Sequence, residues 1–556
     1  MQKLQSADYI VFLFYFIVVA AYGLFIYYRK KKNTTDSKDY FLAEGSLTWW
    51  AIGASLIASN ISAEQFIGMS GAGFKMGLAI ASYEWMAAAT LIIVAVFFMP
   101  VYLKNKIYTM PQFLEQRYST SVAMIMAVFW LLLYVLVNLT SILYLGALAV
   151  SSISGFNFNL CMYALAFFAI LITLGGMKVI GYTDIIQVLF LVLGGLATTY
   201  LALNLVAEKT GTSGGVLGGF SYMLRAAPQH FEMLLPRSNP SYIDLPGLTV
   251  LLGGMWIANL NYWGCNQYIT QRALGADLPT ARNGILFAAF LKLLMPVIVV
   301  IPGIAAFVLY AQDSNFATAM NSGGEVNPDS AYPLLLNLLP VGLKGLAFAA
   351  LTAAVVASLA GKTNSIATIF SLDIFKKRIN VSASESTIIT VGKITVVASM
   401  LIAVLVAPFL GIDKKGGFQY IQEYTGFVSP GVFAVFLLGL FWKRATANAA
   451  MFSIVGGFIL SIVFKFLPQW LNLSFLEPIG FSVQTASGLY EIPFLDRMAI
   501  VFVCCILGMV AISLVEKQSS PSSKIESAQE MYRVHPAFAV GSILIAGVLA
   551  ALYLIF

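Results

Sequence analysis

The chain has 556 residues, 59% of them hydrophobic and 10% charged, with a mean hydropathy of +0.85. That balance excludes a soluble globular domain, and continuous apolar runs of about 20 residues, without strict alternation, exclude a transmembrane β-barrel. The net charge of +7 comes from basic residues clustered in short loops between apolar runs, a pattern that orients a membrane protein and does not point to nucleic acid.

In chain order, the first apolar stretch is followed by Arg29, Lys30, Lys31 and Lys32, the reverse of a secretory signal's charge order, so it is expected to remain as a helix with its N-terminus outside. Spans are predicted near 8–28, 48–71, 77–103, 120–150, 159–177, 180–206, 246–269, 283–310, 340–371, 387–409, 418–441, 446–467, 495–515 and 537–555. This is an all-α polytopic membrane protein of about fourteen transmembrane helices, with both termini extracytoplasmic. The predicted cytoplasmic loops, including 29–38, Lys104 to Arg117 and Arg272 to Arg282, hold most of the basic residues. Segments 207–245 and 311–339 read as extracytoplasmic connectors or lids, and 516–535 as a flexible linker. Cys161, Cys265, Cys504 and Cys505 lie in or beside apolar segments without CxxC spacing, and His230 and His535 fall in loops, so neither zinc nor a disulfide framework is indicated.

Residues Ile52 to Trp85 are the most informative stretch. Ser59, Asn60, Ser62, Glu64 and Gln65 interrupt a segment long enough to cross a bilayer, which hydrocarbon tolerates only if something polar faces them. The seventh predicted span carries a similar break at Asn259 to Gly264, five helices later. Paired breaks at that spacing predict two five-helix repeats of inverted topology, with a solute bound between them at mid-depth. The expected organisation is an N-terminal helix and basic loop over 1–46, a first repeat over 47–206, an outer loop over 207–245, a second repeat over 246–445 and C-terminal helices over 446–556.

Glu84 is costly at membrane depth unless paired, and Lys292, inside an otherwise apolar helix, is its expected partner. The pair is either structural or turned toward the hydroxyls of a polar neutral solute. Gln65, Asn138, Asn259 and Gln422 are amides at comparable depth on four helices, and together they offer the mixed donors and acceptors that a polyhydroxylated ligand needs. Tyr83, Met69, Phe418 and Tyr262 could cover its faces. Where the first broken helix unwinds, the carbonyls of Ala58 and Ile61 become oxygen ligands suited to sodium, with the Ser358 hydroxyl and the Ala354 carbonyl one turn apart on another helix. Asp184 lies on the cytoplasmic side, either on the ion's exit route or as a plain helix N-terminal acid. No phosphate loop, nucleophile elbow or dinucleotide fingerprint sits in a supporting context, so the chain is not expected to be an enzyme.

The stretches SLIASNISAEQFIGMSG, ASYEWMAA, VLVNLTSILYLG, TDIIQV, WIANLNYWGCNQYITQR, FAAFLKL and FQYIQEYTGFVSPGVFAVFLLGLFWK resemble the solute:sodium symporter family, in particular its bacterial sodium/galactose and animal sodium/glucose members. The resemblance implies an inverted-repeat core with flanking helices in the plasma membrane, and sugar uptake driven by co-transported sodium. It implies Gln65, Glu84, Asn138, Asn259, Lys292 and Gln422 as sugar contacts, Tyr262 as the inner gate, and Met69, Tyr83 and Phe418 as the outer one. It implies Ala58, Ile61, Ala354 and Ser358 as sodium ligands, with Asp184 on the exit route.

Three positions depart from the family pattern: Ala357 where a second serine is common, Ala87 where a serine often lies near the sugar, and Lys362, four residues after Ser358 and so on the same helix face. Lys362 could repel sodium, pair with Asp184, or replace the ion in a proton-driven or sodium-independent transporter. Other solutes, myo-inositol, sialic acid or proline, form the alternative within transporters, although Glu84 would repel a carboxylate. A channel would need polar rings along a pore and a sensor a soluble signalling domain, and neither is evident. Oligomeric state is left open.

Overall fold

A computed structural model describes residues 4–29, 37–43, 47–321, 326–409, 417–485, 487–516, 525–526 and 529–556. Most of the predicted basic loop (30–36) and most of the first half of the 516–535 linker lie outside these residues. Among the described residues, ten helices are long and apolar enough to cross a membrane, or eleven if the pair Pro240–Leu252 and Gly254–Cys265, bent by 79°, is one span. The only strands described are two short ones, paired antiparallel with Val483 opposite Glu491 and Gln484 opposite Tyr490.

The helix Leu343–Thr368 is almost wholly buried and forms the centre, whereas Ser6–Arg29 and Pro536–Ile555 keep mostly exposed apolar faces suited to lipid. The alanine-rich sequence of Leu343–Thr368 lets neighbours approach closely, since lipid gives helices no hydrophobic reason to associate and packing must do so. Gly194, on the long helix Gly176–Lys209, illustrates this: a Cβ there would sit 2.7 Å from that of Ala350.

Both expected helix breaks are present, with different local chemistry. The helix Trp49–Asn60 ends at Ile61, whose backbone is extended (φ −84°, ψ 113°). It restarts because Ser-Ala-Glu-Gln is a capping box: the Ser62 hydroxyl accepts from the Glu64 amide at 3.1 Å, and the Gln65 side-chain oxygen accepts from the Ser62 amide at 2.9 Å. In the second half, Asn259 is still helical and Asn261–Cys265 forms a π-helical turn. The chain becomes extended only at Asn266, which caps Gln267–Leu274 by accepting from the Tyr268 amide at 3.1 Å. The second break therefore lies a few residues later than its sequence suggests, because asparagine bonds readily to the backbone two residues on.

Three expectations about loops need correction. Arg272, expected in a cytoplasmic loop, is fully buried on Gln267–Leu274. Arg117 and Arg282 are also buried, and each donates three hydrogen bonds to backbone carbonyls: Arg117 to Gly439, Trp442 and Ala445, and Arg282 to Ala95, Met531 and Arg533. That last contact ties down the end of the expected flexible linker, where Gln529–Tyr532 forms a 3-10 turn. The connectors 207–245 and 311–339 are also structured, with helices Gly215–Ala226, Ser314–Met320 and Ala331–Asn337.

Candidate functional site

A cavity opens beside the first break. Its wall includes Gln65, Glu84, Asn138, Asn259, Lys292 and Gln422, so all six amide and charged residues singled out from the sequence converge on one space. Tyr83, Tyr262, Phe418 and Lys362 also line it. Met69 does not; it is fully buried behind the wall.

Lys292 and Glu84 form a direct ion pair, and both are buried, at 1% and 3% exposure. The Lys292 ammonium also donates to the Asn60 side-chain oxygen and lies 5.1 Å from the centre of the Trp263 ring. Asn60 in turn donates to the Tyr262 hydroxyl at 3.2 Å. The last residue of the broken helix thus joins the charged pair to Tyr262 of the π-helical turn Asn261–Cys265. The sequence shows Asn60 as a polar residue at mid-depth, but nothing in it reveals this bridging position.

The amides are not equivalent. Gln65 commits its oxygen to the capping box, and Asn259 donates to the Met255 carbonyl of its own helix at 3.2 Å. Asn138 sits in the π-helical turn Tyr134–Leu139. At one end of the cavity the Tyr83 and Phe418 rings meet edge to face, with centres 5.0 Å apart. Gly68 permits this, since a Cβ there would come within 2.8 Å of the Phe418 backbone nitrogen.

Behind the cavity, the Ser358 hydroxyl lies 3.4, 3.0 and 3.2 Å from the carbonyl oxygens of Ala58, Ser59 and Ile61. These oxygens are available because the extended residue at Ile61 interrupts the helical ladder. Three of the four expected ion ligands, Ala58, Ile61 and Ser358, are therefore adjacent, and Ala354 lies one turn earlier on the Ser358 helix. The Tyr268 hydroxyl also donates to the Ser59 carbonyl, a contact with no sequence signal. Hard oxygen donors without sulfur or imidazole suit an alkali cation, and no cluster of His, Cys, Asp or Glu able to hold a metal occurs among the described residues.

Asp184 lies two turns inside the helix Gly176–Lys209, which removes the reading of it as a helix N-terminal acid. It accepts from the Ser55 hydroxyl at 2.5 Å, and Ser55 accepts from Nε of Arg272 at 3.0 Å. Arg272 is thus its charged neighbour, and the suggested pairing with Lys362 does not occur. Lys362 instead faces Glu64 electrostatically and sits over the Tyr268 ring, 4.6 Å from its centre.

Residues 40–457 match the profile of the sodium:solute symporter family. A sodium/glucose cotransporter of Vibrio parahaemolyticus is 45% identical, over 100% of this chain and 98% of its own length. The human sodium/myo-inositol cotransporter 2 is 34% identical, over 83% of this chain and 70% of its own. Among solved structures, a substrate-bound, outward-open Na+-coupled sialic acid symporter superposes with a TM-score of 0.75 at 22% identity, covering 93% of this chain and 99% of that one, which shows a shared fold. The chain belongs to the sodium:solute symporter family.

Proposed function

We propose that the protein imports a neutral hexose, galactose or glucose, together with sodium across the plasma membrane by alternating access. The observation that carries this reading is that one helix break supplies both sites. Asn60, at the end of the helix, holds Lys292 beside Glu84 in the cavity, while the carbonyls of Ala58 and Ile61 face Ser358 behind it. Glu84, Lys292, Gln65, Asn138, Asn259 and Gln422 contact the sugar. Tyr83 and Phe418 close its outer side with Met69 packed behind, and Tyr262 closes its inner side. Ala58, Ile61, Ala354 and Ser358 bind sodium, and Asp184 receives it on the cytoplasmic side.

The fourteen-span reading divides the long stretch Glu64–Lys104 at Gly77 and joins its first part to Trp49–Asn60 as a broken span over 49–76; with the broken span at 248–274, the helix Phe158–Leu174 and the pair Gly417–Gly426 and Ser429–Phe441, this adds four spans to the ten. Two inverted repeats over 47–206 and 246–445 then place the breaks in corresponding positions, with the termini outside and helices 446–556 flanking. Myo-inositol, also neutral and polyhydroxylated, is the second substrate reading, favoured by the relatives that carry it. Uptake of labelled galactose, glucose and myo-inositol into proteoliposomes, with sodium and proton gradients imposed separately, tests this. Sodium-driven hexose uptake is expected. Uptake of none of the three under a sodium gradient would overturn the reading, and uptake under a proton gradient alone would reassign the coupling ion.

A further inference from the structure

Lys362 and Glu64 are both charged, both line the cavity and neither belongs to the Glu84–Lys292 pair. Lys362 is buried on Leu343–Thr368, one turn beyond Ser358. The charged and titratable groups around it are Glu64 from the π-helical turn after the first break, Arg272 and Tyr268 from Gln267–Leu274, and Tyr134 from the π-helical turn of the Asn138 helix. Arg272 is itself balanced by Asp184 through Ser55, so the carboxylate left to Lys362 is Glu64. Glu64 is held in place at one oxygen by the Ser141 hydroxyl at 3.1 Å, and among the described residues no ion-pair contact within 4.0 Å joins it to Lys362.

The ring beneath the ammonium leads back to the ion oxygens. Tyr268 donates to the Ser59 carbonyl, which also receives the Ser358 hydroxyl. The Lys362 charge is therefore separated from the oxygen cluster by little more than one aromatic ring. We propose that Lys362 and Glu64 form a fixed charge pair that sets the affinity of the sodium site, the ammonium opposing the ion and the carboxylate offsetting it. This rests on the sodium reading of Ala58, Ile61 and Ser358 given above. Ser358 is the one hydroxyl that its helix offers there, since residue 357 is alanine. A nearby like charge weakens the hold of such a site on its ion.

Two unit charges about 8 Å apart, at an effective dielectric constant of about 20, change an affinity about 30-fold. The test is the sodium half-saturation of galactose uptake by the full chain in proteoliposomes. Lys362→Met is expected to lower the half-saturation by up to about 30-fold, Glu64→Gln to raise it several-fold, and the double variant to fall between the two. A loss of packing alone would move both single variants the same way. With sodium-dependent wild-type uptake, an unchanged or raised half-saturation in Lys362→Met overturns the proposal and leaves the symport reading intact. Wild-type uptake that ignores sodium overturns both. Should Lys362→Met fail to fold as a monodisperse protein, Lys362→Gln, which also removes the charge, takes its place: a lowered half-saturation supports the pair, and an unchanged or raised one overturns it.

Discussion

Replacing Glu84 by glutamine leaves the Lys292 ammonium, 1% exposed, without its carboxylate. What remains is the Asn60 oxygen and the face of Trp263 at 5.1 Å, both already engaged in the wild type and so unable to offset the loss. Breaking a buried pair from one side costs about 3–5 kcal/mol, because a charge stays desolvated with no partner. Removing both charges, in Glu84→Gln with Lys292→Met, removes that penalty and is expected to return stability to within about 1–2 kcal/mol of the wild type. Transport separates from stability at this point. A hydrogen bond from sugar to a charged group is worth about 1.5–3 kcal/mol, so both variants lose about 10- to 150-fold in sugar affinity. Equilibrium unfolding of the full chain in detergent, paired with equilibrium binding of labelled galactose, reads the two quantities. A single variant as stable as the wild type, or a double variant as unstable as the single, would refute the reasoning; galactose binding unchanged in the double variant would make the pair purely structural.

Ser358→Ala removes the hydroxyl facing the carbonyls of Ala58, Ser59 and Ile61, and is expected to weaken sodium affinity about tenfold or more, read from the sodium dependence of uptake at saturating sugar. Arg117→Ala removes three hydrogen bonds that pin Met110–Arg117 to the end of Ser429–Phe441, and is expected to destabilise the chain by about 3 kcal/mol or more in the same unfolding experiment. His230, in the 207–245 connector, stacks on Phe307 with ring centres 3.8 Å apart, and burial holds its ring below the usual histidine range. The folded chain therefore resists the proton more than the unfolded chain does. Stability should be insensitive to this group above about pH 7 and should fall as pH drops through the unfolded histidine value of about 6.5. A melting curve taken from pH 7.5 to 5 is expected to lose that slope in His230→Gln.

The sequence reveals the site where the cost of a residue is visible without its neighbours. Glu84 and Lys292 are each expensive in an apolar helix, so each announces a partner, and the ion pair is found. The amides converge for the same reason. Arg272 gives no such signal, because it follows a polar run, QYITQR, and reads as the edge of a loop. That run is nevertheless buried: Gln267 accepts from the Met110 amide at 2.7 Å and donates to Gln271 at 3.2 Å, and these internal partners stand in for water. Hydropathy records the polarity of a segment and not whether its polar groups satisfy one another, so the partner of Asp184 stays hidden. The position of the second break is missed for a related reason, since the π-helical turn Asn261–Cys265 keeps helical side-chain spacing nearly to the cap at Asn266.

In the proposed reading, the unwound segment couples ion and sugar without any distant relay. The carbonyls of Ala58 and Ser59 and the side chain of Asn60 are consecutive, the first two facing Ser358 and the third holding Lys292. An ion that draws the carbonyls toward itself must reposition the residue next in sequence, and with it the ammonium that faces Glu84. The Ser59 carbonyl and the Asn60 amide share one rigid peptide plane, so a turn of the first also turns the second. Linkage then requires that sodium raise sugar affinity by the factor by which sugar raises sodium affinity. Asn60→Ala cuts the bridge while leaving every carbonyl in place. It is expected to preserve sodium binding yet remove most of the sodium effect on galactose affinity, and an undiminished effect in that variant would place the coupling elsewhere.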